Sequence, residues 1–546
     1  FHCWHRYCGL IPCVGTPVKR AQARKAISDN RGSQQALVAA MMRPEFYPKP
    51  PGEITHKETH ISHIFLAGEL VYKVKKPVRF AFLDFSTLAK RRHFLQEELR
   101  LNRRLAPSVY LGVMPIGFDD GGWRLGGWSE PAEYTLVMRR LPDKRMLDFL
   151  LETQQVTVSM MKQLADHLAV FHAGAEPLRG ATADAHWSFV RDEWTENLTE
   201  LNSLLATAYD RRCFELIRSY GEEFLSKKRD LIGRRVEEGW IRDVHGDLHA
   251  EHICFAPEGI QIFDCIEFSA ELRRCDLASE IAFLLMDVSV RGGESLVSPF
   301  MNRYLERLND REMIQLLPFY QSYRALVRAK VHALRLGNWN AESARYLSYA
   351  RRMTWERFKP FLVLVCGLTG SGKSTLAREL GARLGMMVIN SDVVRKTIAR
   401  NVGRNIVPLN QGLYSPAMTD KTYSKLEREA ERRILSGDGV ILDATFTHAS
   451  RRKSIIRLAE KRSVPIFLIR CFASDELTRQ RLTARAADGK DVSDGRWEVY
   501  VAQKATYEPL TEISSTRRLD LDTKLPVEEL VQAVEEFLRS RLEQER

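Results

Sequence analysis

The sequence has no long hydrophobic run and no paired cysteines, and each absence argues against a class of protein. Its strongest apolar runs, FLVLVC (361–366) and IAFLLM (281–286), have the length of a core strand or a short stretch of helix. They fall far below the roughly 18 residues that a membrane span requires. The nine cysteines include no C-x-x-C pair, which argues against a zinc site and a disulfide framework. With no recognisable export signal, we expect a cytoplasmic protein that does not associate with a membrane.

Hydrophobic periodicity is also missing from the first forty residues. Residues 1–42 carry six Lys or Arg and one acidic residue, and so contribute +5 to the net charge of +12. We predict that 1–42 is a basic, disordered tail or a misassigned start, and that the folded chain begins within MMRPEFYPKPP (41–51). The whole chain of 546 residues is too long for one hydrophobic core, so two or three domains are expected.

A glycine-rich phosphate-binding motif is present near residue 370. The segment 361–385 begins with a strand-length apolar run, ends in a helical pattern and carries Gly-x-x-x-x-Gly-Lys-Ser between them. Glycines let backbone N–H groups surround a phosphate, the lysine offsets phosphate charge, and the serine hydroxyl is a ligand for Mg²⁺. The residues that this P-loop assigns to nucleotide binding are Gly367, Gly370, Gly372, Lys373, Ser374 and Thr375.

Charged residues follow each of three further predicted strands, which lie in the segments 386–396, 439–452 and 466–489. Strands that alternate with helices predict a parallel sheet, and the carboxyl ends of its strands collect such residues at one edge. The candidate functional residues at this edge are Asp392, Arg395, Asp443, Arg481 and Arg485.

The C-terminal segment resembles the small P-loop kinases, which include polynucleotide 5′-hydroxyl kinases, gluconate kinases and zeta toxins. The resemblance covers most of 361–546 and implies ATP and Mg²⁺ as cofactors. It implies that Asp392 accepts the proton of the acceptor hydroxyl and that Arg395 helps to hold the acceptor. The residues that it assigns to Mg²⁺ are Ser374 and Asp443, and those that it assigns to charge on the transferring phosphoryl group are Arg481 and Arg485.

The middle of the chain carries a second phosphoryl-transfer pattern. VHGDLHAEHICF (244–255) is followed by GIQIFDCIEF (259–268), an apolar strand that runs into Asp264. The pair resembles aminoglycoside phosphotransferases and related small-molecule kinases, which share the protein-kinase fold. Their catalytic loop reads His-Gly-Asp-x-x-x-x-Asn and precedes a strand that ends in a metal-binding Asp. The resemblance implies that Asp247 is the catalytic carboxylate, that Asp264 binds Mg²⁺ beside the nucleotide phosphates, and that His245 is structural.

Upstream segments follow the order of elements in these kinases. The two predicted strands of IFLAGELVYKVKKPV place Lys73 where the family carries the lysine that binds the α- and β-phosphates, with Lys75 on the same strand face as the alternative. The amphipathic helix RRHFLQEELRLNRRLA offers Glu98, or next Glu97, as the partner of that lysine. The strand YTLVMRRLP resembles the hinge that holds adenine against backbone groups near Met138.

One position departs from the family pattern. His252 stands where these kinases carry the Asn that ligates the second metal, and imidazole is a poor ligand for Mg²⁺, which prefers oxygen. Three alternatives remain open: the site uses one metal held by Asp264, His252 binds a softer ion such as Mn²⁺, or the loop has lost activity. The neighbouring Glu251 is a further source of an oxygen ligand. The presence of both Asp247 and Asp264 favours a working site.

The chain from about residue 45 onward thus resembles a bacterial fusion of two kinase domains. The expected fold is an α+β kinase-like bilobal domain (43–355) followed by an α/β P-loop domain with a parallel sheet (361–546). We expect a bifunctional ATP-dependent kinase that transfers the γ-phosphoryl group to hydroxyls of small molecules. One alternative is a polynucleotide 5′-hydroxyl kinase, although the sequence offers no aromatic platform for stacking nucleic-acid bases. The other is a regulatory ATP-binding protein whose middle domain is a pseudokinase.

Overall fold

The chain divides into two compact units, and the first ends at Thr354 while the second begins at Trp355. The computed structural model describes residues 34–80, 83–119, 122–126, 131–399, 415–488 and 496–545. The predicted first domain, 43–355, includes Trp355, but Trp355 and Phe358 are buried in the core of the second unit. Because two large aromatic side chains anchor it there, the segment 355–360 belongs to the second unit.

The folded part of the first unit begins earlier than the sequence predicted. Residues 34–41 form a helix, α1, although they fall in the segment expected to be a disordered tail. Leu37 and Met41, one helical turn apart, are buried in a cluster that contains Phe65 of the adjoining sheet. Burial of this apolar face stabilises the short helix, so the predicted boundary at residue 42 is wrong. The rest of the predicted tail, 1–33, lies outside the described residues.

An antiparallel sheet forms the N-terminal part of the first unit. Its strands and the helix packed on it are β1 (Ile54–Glu58), β2 (Ser62–Ala67), β3 (Leu70–Lys75), a small ribbon of β4 (Arg79–Phe80) and β5 (Leu83–Asp84), α2 (Leu88–Asn102), β6 (Tyr110–Asp119), β7 (Gly122–Leu125) and β8 (Glu133–Arg139). Within the described residues the six-stranded sheet has the order β1-β2-β3-β8-β6-β7. On β3, Tyr72 and Val74 point into one core, so the alternation of a strand directs Lys73 and Lys75 to the opposite face.

Helices dominate the remainder of the first unit. The elements are α3 (Leu147–Glu152), α4 (Val158–Gly174), α5 (Ala183–Asn202), α6 (Ala208–Lys227), α7 (Arg229–Glu237), β9 (Ile241–Asp243), β10 (Ile253–Ala256), β11 (Gly259–Ile262), α8 (Ala270–Arg273), β12 (Arg274–Asp276), α9 (Leu277–Val290), α10 (Glu294–Leu308), α11 (Met313–Leu336) and α12 (Ala341–Met353). Nearly every residue of α9 is buried, as expected for a helix that is apolar on all sides. The loop 244–252 joins β9 to β10 and lies against this central helix.

The second unit contains the predicted parallel sheet. Its elements are β13 (Leu362–Cys366), α13 (Lys373–Leu384), β14 (Met387–Asn390), α14 (Ser391–Ile398), α15 (Pro416–Leu435), β15 (Val440–Asp443), α16 (Ala449–Lys461), β16 (Ile466–Phe472), α17 (Asp475–Asp488), α18 (Trp497–Ala505), β17 (Arg518–Asp522) and α19 (Val527–Gln544). Among the described residues the order is β14-β15-β13-β16-β17, and every pairing is parallel. On β13, Val363 and Val365 enter one core while Leu362 and Leu364 enter the other. Helices therefore cover both faces of the sheet.

Across the part of the chain that the structure describes, no helix combines the length and the apolar character that crossing a membrane requires.

Candidate functional site

The P-loop joins β13 to α13 in the second unit. Gly367, Gly370 and Gly372 have φ angles of 149°, 76° and 80°, a region that favours glycine. A Cβ on Gly367 would also lie 2.3 Å from the carbonyl oxygen of Cys471, so no other residue fits there. The loop therefore leads its backbone N–H groups to the start of α13, where an anion is stabilised by the helix N-terminus.

A cavity of about 390 Å³ surrounds this helix start. It brings together most of the predicted nucleotide-binding and lid residues of the second unit, namely Gly370, Gly372, Lys373, Ser374, Thr375, Arg481 and Arg485. Arg481 donates hydrogen bonds to Thr523 Oγ1 and to the carbonyl oxygen of Thr523, at 2.9 and 2.6 Å. Arg481 is thereby held against the loop that follows β17. Arg485, one helical turn further along α17, lines the same cavity.

Two neighbouring strand ends carry the predicted carboxylates. Asp443 ends β15, and its Oδ2 accepts a hydrogen bond of 2.5 Å from Asn390 Nδ2 at the end of β14. The other oxygen, Asp443 Oδ1, is buried and has no hydrogen-bond partner among the described residues. Asn390 also caps α14 through the backbone N–H groups of Asp392 and Val393. Asp392 pairs with Arg395 at 2.6 Å, Oδ1 to Nη1. The structure therefore places three predicted residues beside the P-loop edge of the sheet.

Sequence reasoning missed two contacts of this site. Asn390 immediately precedes α14, and the preference of asparagine for the N-cap position is the signal that could have identified it. Gln503 of α18 accepts a hydrogen bond from the backbone N–H of Thr369 in the P-loop, at 2.9 Å. No local pattern marks Gln503, because its partner is 134 positions away in the sequence.

In the first unit, the two lysines of β3 meet buried carboxylates. Lys73 Nζ lies 2.6 Å from Glu98 Oε1 and 3.1 Å from Asp264 Oδ1. Lys75 Nζ lies 2.9 Å from Glu98 Oε2 and 2.6 Å from Glu267 Oε1. Burial alone would lower the pKa of Lys73, but Asp264 and Glu98 raise it well above its ordinary value, so Lys73 is charged. Glu97, the alternative partner in the sequence, pairs instead with the exposed Arg100.

The loop 244–252 is held by residues that the sequence did not suggest. Glu280 of α9 accepts hydrogen bonds from the backbone N–H groups of His245 and Gly246, at 2.9 and 3.0 Å. Two helical turns further along α9, Asp287 accepts one from Ala250 at 3.0 Å. The ring of His245 donates from Nε2 to the carbonyl oxygen of Phe263 and accepts the N–H of the residue two positions later. The ring of His245 therefore links the loop to Phe263, the residue that follows β11.

The predicted catalytic and metal residues of this loop lie close together. His252 Nδ1 donates to the backbone carbonyl of Asp247 at 2.9 Å, and its Nε2 lies 3.6 Å from Asp264 Oδ2. Burial, followed by the neighbouring ring of His249, lowers the pKa of His252 well below its ordinary value, so the ring is neutral. Glu251 points elsewhere, since it pairs with Arg291 at 2.5 Å.

Met138, near which the backbone is predicted to hold adenine, is two positions along the same strand from Leu136, the partner of Lys73 in the sheet. It lies on β8, paired with Val71 on one side and with Tyr110 on the other. The next two backbone N–H groups, of Arg139 and Arg140, donate to carbonyl oxygens of neighbouring segments. These two N–H groups are therefore engaged within the first unit.

Known proteins resemble the chain over both units. A family model described as an AAA domain (AAA_33) matches residues 362–510. The uncharacterized protein Rv2004c of Mycobacterium tuberculosis is 34% identical over 446 residues, which cover 80% of this chain and 87% of that protein. A 2-phosphoglycerate kinase of Methanococcus maripaludis is 26% identical over 300 residues, 49% of this chain and 90% of the kinase. A solved structure of the Mycobacterium tuberculosis APS kinase with AMPPNP and APS covers 33% of this chain and 98% of its own, with 19% identity and a TM-score of 0.25.

The extent of the mycobacterial match decides the family. Since the first unit ends at Thr354, a match over 80% of the chain includes parts of both units. The AAA-domain match lies entirely within the second unit, around the P-loop geometry. The chain therefore belongs to the family of the mycobacterial protein Rv2004c, and its second unit is a kinase-like P-loop nucleotide-binding domain.

Proposed function

We propose that the second unit transfers the γ-phosphoryl group of ATP to a hydroxyl of a small molecule. The observation that carries this proposal is the meeting of three elements at one sheet edge. The P-loop cavity contains Lys373, Asp443 ends the strand next to β13, and Asp392 follows the next strand. Phosphoryl transfer needs positioned phosphates, neutralised charge and a base beside the acceptor hydroxyl, and this edge supplies all three.

Each group has a defined part in this proposal. Lys373 and the P-loop backbone hold the phosphates, and Asp392 accepts the proton of the acceptor hydroxyl while Arg395 orients that carboxylate. Arg481, which Thr523 holds in place, and Arg485 both line the cavity and are the candidates to stabilise the transferring group. Ser374 and Asp443 Oδ1, which has no hydrogen-bond partner among the described residues, fit Mg²⁺, which prefers oxygen ligands. When bound, Mg²⁺ neutralises phosphate charge.

We further propose that the acceptor is a small anion. One relative is named for its action on 2-phosphoglycerate, which is a small anionic molecule. In this chain Arg395 lies beside the proposed base, where a guanidinium can bind a carboxylate or a phosphate in a bidentate manner. An anionic acceptor therefore fits this edge better than a neutral sugar.

A steady-state assay of ADP formation tests both proposals, with 2-phosphoglycerate as the probe acceptor. We expect Asp392→Asn to lower kcat by about 10²- to 10⁴-fold with an unchanged KM for ATP. Asp420→Asn, an exposed carboxylate of the same unit, is the matched control and should have no effect. An acceptor-dependent rate that survives Asp392→Asn would remove Asp392 as the base. ADP formation that does not respond to 2-phosphoglycerate would contradict the anionic acceptor.

We propose that the first unit is a second, kinase-like ATP site. Its supporting observation is the continuous set of contacts from Glu98 through Lys73 to Asp264, at 2.6 and 3.1 Å, with Asp247 in the adjoining loop as the base. Asp264 and the neutral His252 fit a metal beside the phosphates, and the imidazole nitrogen suits Mn²⁺ better than Mg²⁺. The same histidine favours a second candidate, an ATP-binding regulatory unit that transfers no phosphate.

Calorimetric titration of the full chain distinguishes these candidates. In a Lys373→Met background, which weakens phosphate binding at the P-loop, we expect ATP to bind the first unit in the presence of Mn²⁺, and more weakly with Mg²⁺. Adding Lys73→Met should abolish the part of the binding that is stronger with Mn²⁺ than with Mg²⁺. ATP binding that Lys73→Met leaves unchanged would rule out the first unit as a nucleotide site. Turnover in the Lys373→Met background that Asp247→Asn removes would identify a kinase, and binding without turnover would identify the regulatory unit.

A further inference from the structure

The loop 244–252 contains a buried group of metal-ligating side chains. One ligand atom each from Asp247, His249 and His252 lies within 4.8 Å of the others, and all three residues are buried. The rings of His249 and His252 are 4.0 Å apart between centroids. Asp247 Oδ2 lies 3.7 Å from His249 Nε2. Small shifts would bring such atoms onto the metal–ligand distances of about 2.0–2.2 Å that imidazole and carboxylate ligands adopt.

Hydrogen bonding orients one of these rings as a ligand. A carbonyl oxygen only accepts hydrogen bonds, so the contact from His252 to the backbone of Asp247 requires the proton to be on Nδ1. The Nε2 atom then presents a lone pair, 3.6 Å from Asp264 Oδ2. A ligating histidine commonly donates its other N–H to a carbonyl in this way, which fixes the ring and its tautomer. His245 differs, because both of its ring nitrogens are used within the loop.

Charge in this region points to a cation. Within the described residues, no lysine or arginine lies at ion-pair distance from Asp247, whose ionic contacts there are His249 and His252. The nearby Lys73 and Lys75 are shared among Glu98, Asp264 and Glu267. Asp247 Oδ1 is buried with no hydrogen-bond partner in the described part of the chain. A buried carboxylate is costly unless it is paired or bound to a metal.

We propose that this loop binds one divalent transition-metal ion through His249 and His252, with Asp247 and Asp264 as carboxylate ligands. Two imidazoles favour ions such as Co²⁺ and Zn²⁺ over Mg²⁺. Glu280 and Asp287 hold the loop backbone from α9, so the ligands are oriented before the ion arrives. The site coincides with the proposed ATP site of the first unit, but it forms without nucleotide. An ion bound in this way occupies Asp247, so the first unit cannot use Asp247 as a base while the ion is present.

Titration of the nucleotide-free full chain with Co²⁺, followed by visible d–d absorption, tests this proposal. We expect one saturable equivalent, with Zn²⁺ displacing Co²⁺ and Mg²⁺ failing to do so. His249→Gln and His252→Asn should each weaken Co²⁺ binding by at least about 10- to 100-fold, the loss that follows even from replacing an outer-shell partner of a metal ligand. His93→Gln, on the exposed face of α2, is the matched control and should bind as the wild type does. Circular dichroism establishes that each variant is folded, and Asp247→Asn replaces any variant that is not.

Co²⁺ spectra and affinities that are the same in the wild type and in all folded loop variants would overturn the proposal. Its failure is distinguishable from failure of the proposed ATP site. If Co²⁺ binding does not depend on the loop residues but ATP binding depends on Lys73, the metal site is ruled out and the nucleotide site remains. If Co²⁺ binding depends on the loop residues but the first unit binds no ATP, the metal site remains and the nucleotide site is ruled out.

Discussion

The P-loop of the second unit is built from backbone, whereas the candidate site of the first unit is built from side chains that converge from distant elements. In the second unit, the glycines and Lys373 lie in the single stretch 367–374. In the first unit, Lys73 and Asp264 are 191 positions apart in the sequence and meet at 3.1 Å. One site rests on backbone conformation, and the other rests on a balance of buried charges.

This difference determines what each unit tolerates. Neutralising one side chain of the P-loop removes a contact with phosphate but leaves no buried charge unpaired, because Lys373 lines an open cavity. Neutralising one member of the buried set in the first unit leaves its partners uncompensated, and removal of one partner of a buried ion pair is strongly destabilising. We therefore expect substitutions to affect mainly stability in the first unit and mainly chemistry in the second.

The largest expected effect is that of Glu98→Gln. This carboxylate contacts both Lys73 and Lys75 and is fully buried, so its removal leaves two buried ammonium groups with a weaker set of partners. We expect the first unit to lose about 3–5 kcal/mol of unfolding free energy, measured as a shift of one transition in urea denaturation. The control is Glu97→Gln, whose surface pair with Arg100 should contribute at most about 1 kcal/mol. If Glu98→Gln and Glu97→Gln lower the unfolding free energy by the same amount, the buried charges do not stabilise the first unit in the way that we infer.

The next largest effect is expected in the second unit, where a substitution should change turnover and not stability. Lys373→Met should lower turnover at the P-loop by about 10²- to 10³-fold, the usual effect of removing one charge-stabilising group, while the unfolding free energy of the second unit changes little. Kinetics and urea denaturation of the same preparation provide both quantities. Lys396→Met, a lysine of the same unit that does not line the P-loop cavity, serves as the control. A large loss of stability with Lys373→Met would show that the P-loop also depends on buried charge.

The same contrast explains how much could be predicted from the sequence. The P-loop and the parallel sheet were readable because their residues are contiguous and their strands alternate with helices. The pairing of Lys73 with Glu98 followed from a resemblance in the order of elements. Glu280 and Asp287 were missed because they lie in a continuous apolar run, and Glu280 meets its partner 35 positions away.

Buried ionisable groups should also make the stability of the first unit depend on pH. Burial, followed by the nearby Arg242, lowers the pKa of His172 in the first unit to about 3. The unfolded chain takes up this proton near the ordinary pKa of about 6.5, so stability falls as pH decreases below that value. His172 alone should cost about 2 kcal/mol between pH 7 and pH 5. Glu280, whose pKa is raised by burial to about 7, acts in the opposite direction.

Urea denaturation at both pH values isolates the contribution of His172 as a difference between variants. The first unit of His172→Gln should lose about 2 kcal/mol less than that of the wild type on acidification. The transition of the second unit, which does not contain His172, is the internal reference and should be the same in the variant and in the wild type at each pH. A His172→Gln variant with the wild-type pH dependence would contradict the assignment of a neutral buried ring.

The smallest expected effect concerns Gln503, which meets the P-loop backbone through its side chain. Its Oε1 accepts the N–H of Thr369 at 2.9 Å, and a neutral hydrogen bond of this kind contributes about 1 kcal/mol. Gln503→Leu should therefore raise the KM for ATP about five-fold with little change in kcat, because the contact orients the loop and does not reach the reacting atoms. Gln503→Glu keeps the accepting oxygen and should stay near the wild-type KM. If both variants bind ATP as the wild type does, the side chain of Gln503 does not contribute to the shape of the P-loop. The conformation of the loop then depends on its own glycines alone.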